Sequence, residues 1–214
     1  MPQLESRTVQ RAYSFELRAE QNEEYGNYIT GRPIVYNSKT DLGWFDEIIE
    51  RGALDKTDLK DVRFLVNHDT SMIPLARSRN NNVNSTMQMS VDDDGMGIRV
   101  NLDTENNSDA RNLYSAIKRG DISGMSFMFS INDEEWEGLD TDHPTRHIRE
   151  IGQVLEVSAV TFPAYEATEI SARDKETLDS VKATLDSVKL LDSNKRALEL
   201  EKAKNRNKIF LTIK

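Results

Sequence analysis

Asp121–Ile131 reads DISGMSFMFSI, and it is the stretch around which the fold is built. Gly120 and Gly124 permit tight turns, while Met125, Phe127 and Phe129 recur at every second position and hold the segment against a core as a strand. Working backward, the spacing predicts a helix over about Asp109–Arg119, with Ser108 as its cap. Ala110, Leu113, Tyr114 and Ile117 give it an apolar stripe, Lys118 and Arg119 suit its negative end, and Gly120 stops it. Working forward, a polar loop with His143 and His147 leads to a last strand, VLEVSAVTF, ending at Pro163.

Further out, AYSFELRA (Ala12–Ala19) and YITGRPIVY (Tyr28–Tyr36) read as neighbouring strands. Leu42–Arg51 reads as a short helix, because Phe45, Ile48 and Ile49 fall at helical spacing and Gly52 can end it. VRFLVNHD (Val62–Asp69) is a buried strand with His68 at its mouth, followed by the loop SMIPLA. Val83–Val91 and Gly97–Leu102 flank the turn signal DDDGMG as a hairpin. These elements predict an α+β domain, mainly β, over residues 1–172. Residues 173–214 are different. Leu178, Val181, Leu185 and Val188 sit at heptad spacing among charges, predicting a helical appendage, and NRNKIFLTIK closes the chain as a docking peptide or a frayed end.

Composition narrows the function. The chain of 214 residues has a net charge of −9 with its acidic residues spread throughout, which argues against a phosphate-binding surface and a nucleic-acid partner. It has no cysteine, which excludes disulfides, thiolate metal sites and a cysteine nucleophile and fits a reducing cytoplasm. No stretch has the length of a membrane span, and MPQLESRTVQRAYSFELRAE lacks the apolar core of a signal peptide.

Covalent chemistry is left to hydroxyls, lysines and carboxylates. Serine hydrolysis needs a hydroxyl, a base, a group that orients the base, and donors for the oxyanion. Of the three histidines only His68 stands at the mouth of an apolar strand. Ser126 is held between apolar residues beside Gly124, with Ser123 a competing candidate and a purely structural serine the plainer reading of either. Glu156 lies inside an apolar strand, where a carboxylate needs a cationic or hydrogen-bonding partner; period-two geometry puts it on one face with Ser158. The alternative is an outward-facing residue. His143 and His147 are separated by Pro144 and read as a surface loop rather than a metal pair, and Asp92–Asp94 read as a hairpin tip rather than a calcium loop. Neither metal nor cofactor is assigned.

Four segments, FDEIIERGAL, LVNHDTSMIPLAR, IKRGDISGMSFMF and LEVSAVTFPAYEAT, in this order across Tyr13–Thr168, resemble the prohead proteases of tailed bacteriophages. The resemblance implies a serine endopeptidase related to the herpesvirus assemblins, with a mostly antiparallel barrel and flanking helices. It maps the histidine of its NHD segment to His68 and the serine of its GMSF segment to Ser126. Glu156 matches the acidic position of its last motif, where assemblins use a second histidine. It further implies action inside the assembling procapsid in the host cytoplasm, on scaffold, the major capsid protein and the enzyme itself, and leaves homo-oligomerisation open. Two rivals remain from the residues: a non-enzymatic assembly or scaffold factor, and a metal-dependent hydrolase built on His68, His143 and His147.

Overall fold

The structure, a computed structural model, describes residues 7–13, 17–161, 175–187 and 190. In chain order the elements are β1 (Arg7–Tyr13), β2 (Leu17–Asn22), β3 (Gly26–Val35), β4 (Lys39–Asp41), β5 (Asp46–Ile49), β6 (Asp61–Val66), β7 (Ala76–Arg79), β8 (Met87–Asp92), β9 (Gly95–Asn101), α1 (Ser108–Arg119), β10 (Gly124–Glu137) and β11 (Thr145–Val160). The chain divides into two units, Met1–Ser171 and Ala172–Lys214; in the second, residues 175–187 are helical. The expected boundary at Ala172, Val188 of the heptad pattern, Pro163 and the closing peptide lie outside the described residues.

Period-two burial drives the architecture. Along β10, Met125, Phe127, Phe129 and Ile131 are buried, and on β11 Val154, Val157 and Ala159 join them. The two strands form a long antiparallel hairpin. It anchors a seven-stranded sheet of order β1-β10-β11-β5-β4, with β6 on β11 and β7 on β6. A four-stranded antiparallel sheet, β2-β3-β9-β8, contributes Ile29, Ile34, Met87, Met96 and Val100 to the same core. Helix α1 buries Ala110, Leu113 and Ile117 and packs on β2, where the Tyr114 hydroxyl donates to the Glu20 carbonyl at 3.1 Å.

The mainly β class and the hairpin at DDDGMG hold, the tip being the two residues between Asp92 and Gly95. Four expectations are corrected. The described strands do not close into a barrel, since the two sheets run from β1 to β4 and from β2 to β8. Leu42–Arg51 is not a helix but a turn leading into β5, with Phe45 just before the strand and Glu47 and Ile49 within it alternating inward. Ala12 and Ala19 belong to different strands in different sheets, β1 and β2. Helix α1 is capped by Asn107, whose side chain accepts from the Asp109 and Ala110 amides, with Ser108 the first helical residue and Gly120 left-handed at φ 81°.

Candidate active site

The site forms where three strands of the larger sheet meet. On β10 and β11, Ser126 pairs with Ser158 and Met128 with Glu156. Directly opposed residues of antiparallel strands share a face, so Ser126, Glu156 and Ser158 project together. β6 runs parallel to β11, with Val66 beside Ala159, and this brings the mouth of β6 to the same place.

The chain then turns back in two left-handed residues, Asn67 at φ 51° and His68 at φ 55°. Asparagine tolerates this region; a histidine there is uncommon and is held by its surroundings. The Asn67 amide donates to the Ala159 carbonyl at 2.9 Å, its side-chain amide donates to Thr161 Oγ1 at 3.1 Å, and its Oδ1 accepts from the Thr161 amide at 2.9 Å. The His68 amide donates to Ser158 Oγ at 3.1 Å. The reversal carries the imidazole back over the sheet.

There the three predicted residues come together. His68 Nε2 lies 2.6 Å from Ser126 Oγ, and His68 Nδ1 lies 2.5 Å from Glu156 Oε1. Ser158 Oγ donates to Glu156 Oε2 at 2.5 Å. Ser126 and Glu156 are 1% and 3% exposed and the His68 side chain 6%. Glu156 is thus inward-facing, its two oxygens each engaged, which is what a buried carboxylate requires. The Ser126 hydroxyl also donates to the Arg11 carbonyl of β1 at 2.8 Å.

The remaining candidates lie elsewhere. Ser123 is exposed in the turn before β10. Arg77, at the end of the LVNHDTSMIPLAR segment, is paired through Nε and Nη2 with Asp61, at 2.5 and 2.7 Å, and holds that carboxyl below the usual range. His147 is not in a loop but in β11, with Nδ1 3.0 Å from Glu50 Oε1. His143 Nε2 is 3.2 Å from Asp46 Oδ1 and 3.7 Å from Asp41 Oδ1. The three histidines therefore face three separate sets of partners, which removes the ligand set of the metal-hydrolase reading. Asp41, Asp46 and His143 do gather ligand-type atoms, but Lys39 Nζ sits 2.8 Å from Asp46 Oδ2 and, with His143, keeps that carboxyl low.

Beneath β10 and β11 lies a charged network that the sequence did not suggest. Buried Glu47 of β5 accepts from Arg11 Nε at 2.5 Å and Nη2 at 2.9 Å, and from Arg146 Nη1 at 3.4 Å. Arg146 also pairs with Glu134 and lies over the Trp136 ring at 5.6 Å. Burial alone would raise the Glu47 carboxyl, but the Arg11 and Arg146 charges outweigh it and hold it low. Ser158 could have been found from period two; Arg11, Glu47 and Arg146 could not, because their partners are 36 and 99 positions apart.

A hydroxyl, an imidazole and a carboxylate joined in that order make the relay on which serine hydrolases depend. The family model described as caudovirus prohead serine protease matches residues 13–183, and the chain belongs to that family. It is a serine protease of capsid maturation, and the non-enzymatic reading gives way. Among solved structures, the bacteriophage T4 capsid assembly protease, gp21, is similar over 72% of this chain and 99% of its own, at 13% identity and a TM-score of 0.38. A search of curated proteins finds no match.

Proposed function

We propose that Ser126 is the nucleophile, His68 its general base and Glu156 the group that orients the imidazole, in an endopeptidase that cuts scaffold, the major capsid protein and itself inside the procapsid. The observation that carries this reading is the unbroken chain of contacts from Ser126 Oγ through His68 Nε2 and Nδ1 to Glu156 Oε1. His68 takes the hydroxyl proton as Oγ attacks a peptide carbonyl, and returns it to the departing amine. An acyl-enzyme forms, and water, deprotonated by the same imidazole, releases it. Glu156 fixes the proton on Nδ1 and stabilises the imidazolium, while Ser158 keeps the carboxylate from turning away. Backbone amides near Gly124 or in the loop after His68 supply the oxyanion donors.

Residues 1–172 constitute the protease domain in this reading, and 173–214 a helical tail that directs the enzyme to the shell interior or to scaffold. Removing the residues after Ala172 should abolish incorporation into proheads; unchanged incorporation would count against that role. The substrate claim is tested by co-expressing the chain with the capsid precursor and scaffold of the same phage and weighing all three by intact mass. Wild type should give shortened products and His68→Ala none. Proheads that contain the wild-type chain yet hold only full-length precursor would overturn it.

A further inference from the structure

The three contiguous residues are also nearly inaccessible. To be attacked, a peptide carbonyl must come within about 3–3.5 Å of the nucleophile, yet Ser126 is buried and flanked on both sides, by Ser158 of β11 and by Ala12 of β1. β11 is fixed, since it pairs with β10, β5 and β6. β1 is the edge of the sheet and pairs with β10 alone among the described strands. It is the wall that can leave.

The Arg11 carbonyl on β1 bears on the chemistry directly. A serine hydroxyl has one proton, and the Ser126 hydroxyl faces two acceptors, the Arg11 carbonyl at 2.8 Å and His68 Nε2 at 2.6 Å. While the proton is directed to Arg11, Oγ can meet Nε2 only as an acceptor, and His68 cannot act as its base. The Arg11 side chain in turn fixes where that carbonyl sits, through two bonds to Glu47 and a third, from Nη1, to the Gln10 carbonyl at 2.7 Å. Releasing Arg11 does not leave Glu47 alone in the core, because Arg146 stays beside it. A buried charge that keeps a partner makes such an anchor reversible.

We propose that β1 is a self-inhibitory strand: its Arg11 carbonyl holds the Ser126 hydroxyl proton away from His68, the Arg11–Glu47 pair latches it, and its withdrawal activates the enzyme. Withdrawal bares the edge of β10 beside Ser126, a row of main-chain donors and acceptors suited to an extended peptide. The substrate's own main chain would then take the place of β1. This inference rests on Ser126 being the nucleophile.

The absence of cysteine permits a clean test. Thr8 and Ser130 are direct partners across β1 and β10, and opposed positions of this kind come within disulfide reach. In a Thr8→Cys/Ser130→Cys variant the bond is the only one the chain can form. A fluorophosphonate probe is added to the oxidised and reduced forms of one preparation, beside wild type, and the adduct is followed by intact mass. The locked form should label at least about tenfold more slowly, as expected where reaction needs local opening, and reduction should restore the wild-type rate. Equal rates in the oxidised and reduced forms would overturn the inhibitory role of β1 while leaving Ser126 the nucleophile. No adduct in any form, wild type included, would overturn the nucleophile reading and this inference with it.

Discussion

Ser158 Oγ donates to Glu156 Oε2 at 2.5 Å, and the same oxygen accepts the His68 backbone amide at 3.1 Å. One hydroxyl thus ties the carboxylate beside the imidazole to the backbone that carries the imidazole. Ser158→Ala removes both bonds at a site with no exposure. Losing such bonds costs about 1–3 kcal/mol, or roughly 5- to 150-fold in rate where they act on the reacting geometry. The expected result is a fall in kcat of that size with KM unchanged and thermal stability lowered only modestly, read from peptide-cleavage kinetics beside a melting curve. A change in KM alone would show that Ser158 does not position the relay.

The Glu47 network gives a pH-dependent prediction. Its carboxyl is held below the usual range in the folded chain, so its stabilising contribution is fully present above the unfolded value, about 4.3. The contribution is lost as pH falls through the lower folded value. Glu47→Gln leaves Arg11 and Arg146 facing a neutral group and should cost about 3 kcal/mol near neutrality. The gap from wild type should narrow steadily below pH 4. Denaturant titrations at pH 7, 5 and 3.5 measure it, and a gap independent of pH would mean that charge is not what Glu47 contributes.

At the start of β9, next to the hairpin tip, Gly95 has φ 133°, and a Cβ built there would stand 2.0 Å from the Ile34 carbonyl oxygen. Since the obstacle is backbone, it cannot rotate aside. Gly95→Ala should therefore destabilise the chain by about 3 kcal/mol, strain and displacement of β3 together. Gly97→Ala, whose Cβ would meet the end of the Ser90 side chain at 3.1 Å, should cost clearly less. Paired melting curves of the two variants give the comparison.

His143 and Asp46 share no partner with the relay among the described contacts. His143→Ala should leave peptide cleavage at the wild-type rate, and so should a chelator in excess. Loss of activity in either experiment would bring the Asp41, Asp46 and His143 cluster into the mechanism.

The meeting of these three side chains was legible because each carries a local mark: His68 ends an apolar strand, Ser126 stands between apolar residues next to a glycine, and Glu156 is a charge inside an apolar run. The β5 region was not, and the reason is Glu47. Phe45, Glu47 and Ile49 all point inward, but a glutamate in the inward row breaks the apparent alternation, leaving Phe45, Ile48 and Ile49 to imitate helical spacing. Arg11 and Arg146, distant in sequence, make that burial tolerable. The closed barrel failed for a different reason. It followed from the family resemblance, and nothing in the strand patterns dictates whether sheet edges meet.

In the proposed mechanism Ser126 attacks with His68 as its base. The most direct measurement is to treat wild type, Ser126→Ala, Ser123→Ala and His68→Ala with a fluorophosphonate and map the adduct by peptide mass. One adduct is expected on the peptide containing Ser126 in wild type and Ser123→Ala, and none in Ser126→Ala or His68→Ala. An adduct that persists in Ser126→Ala, or that forms equally fast without His68, would contradict it.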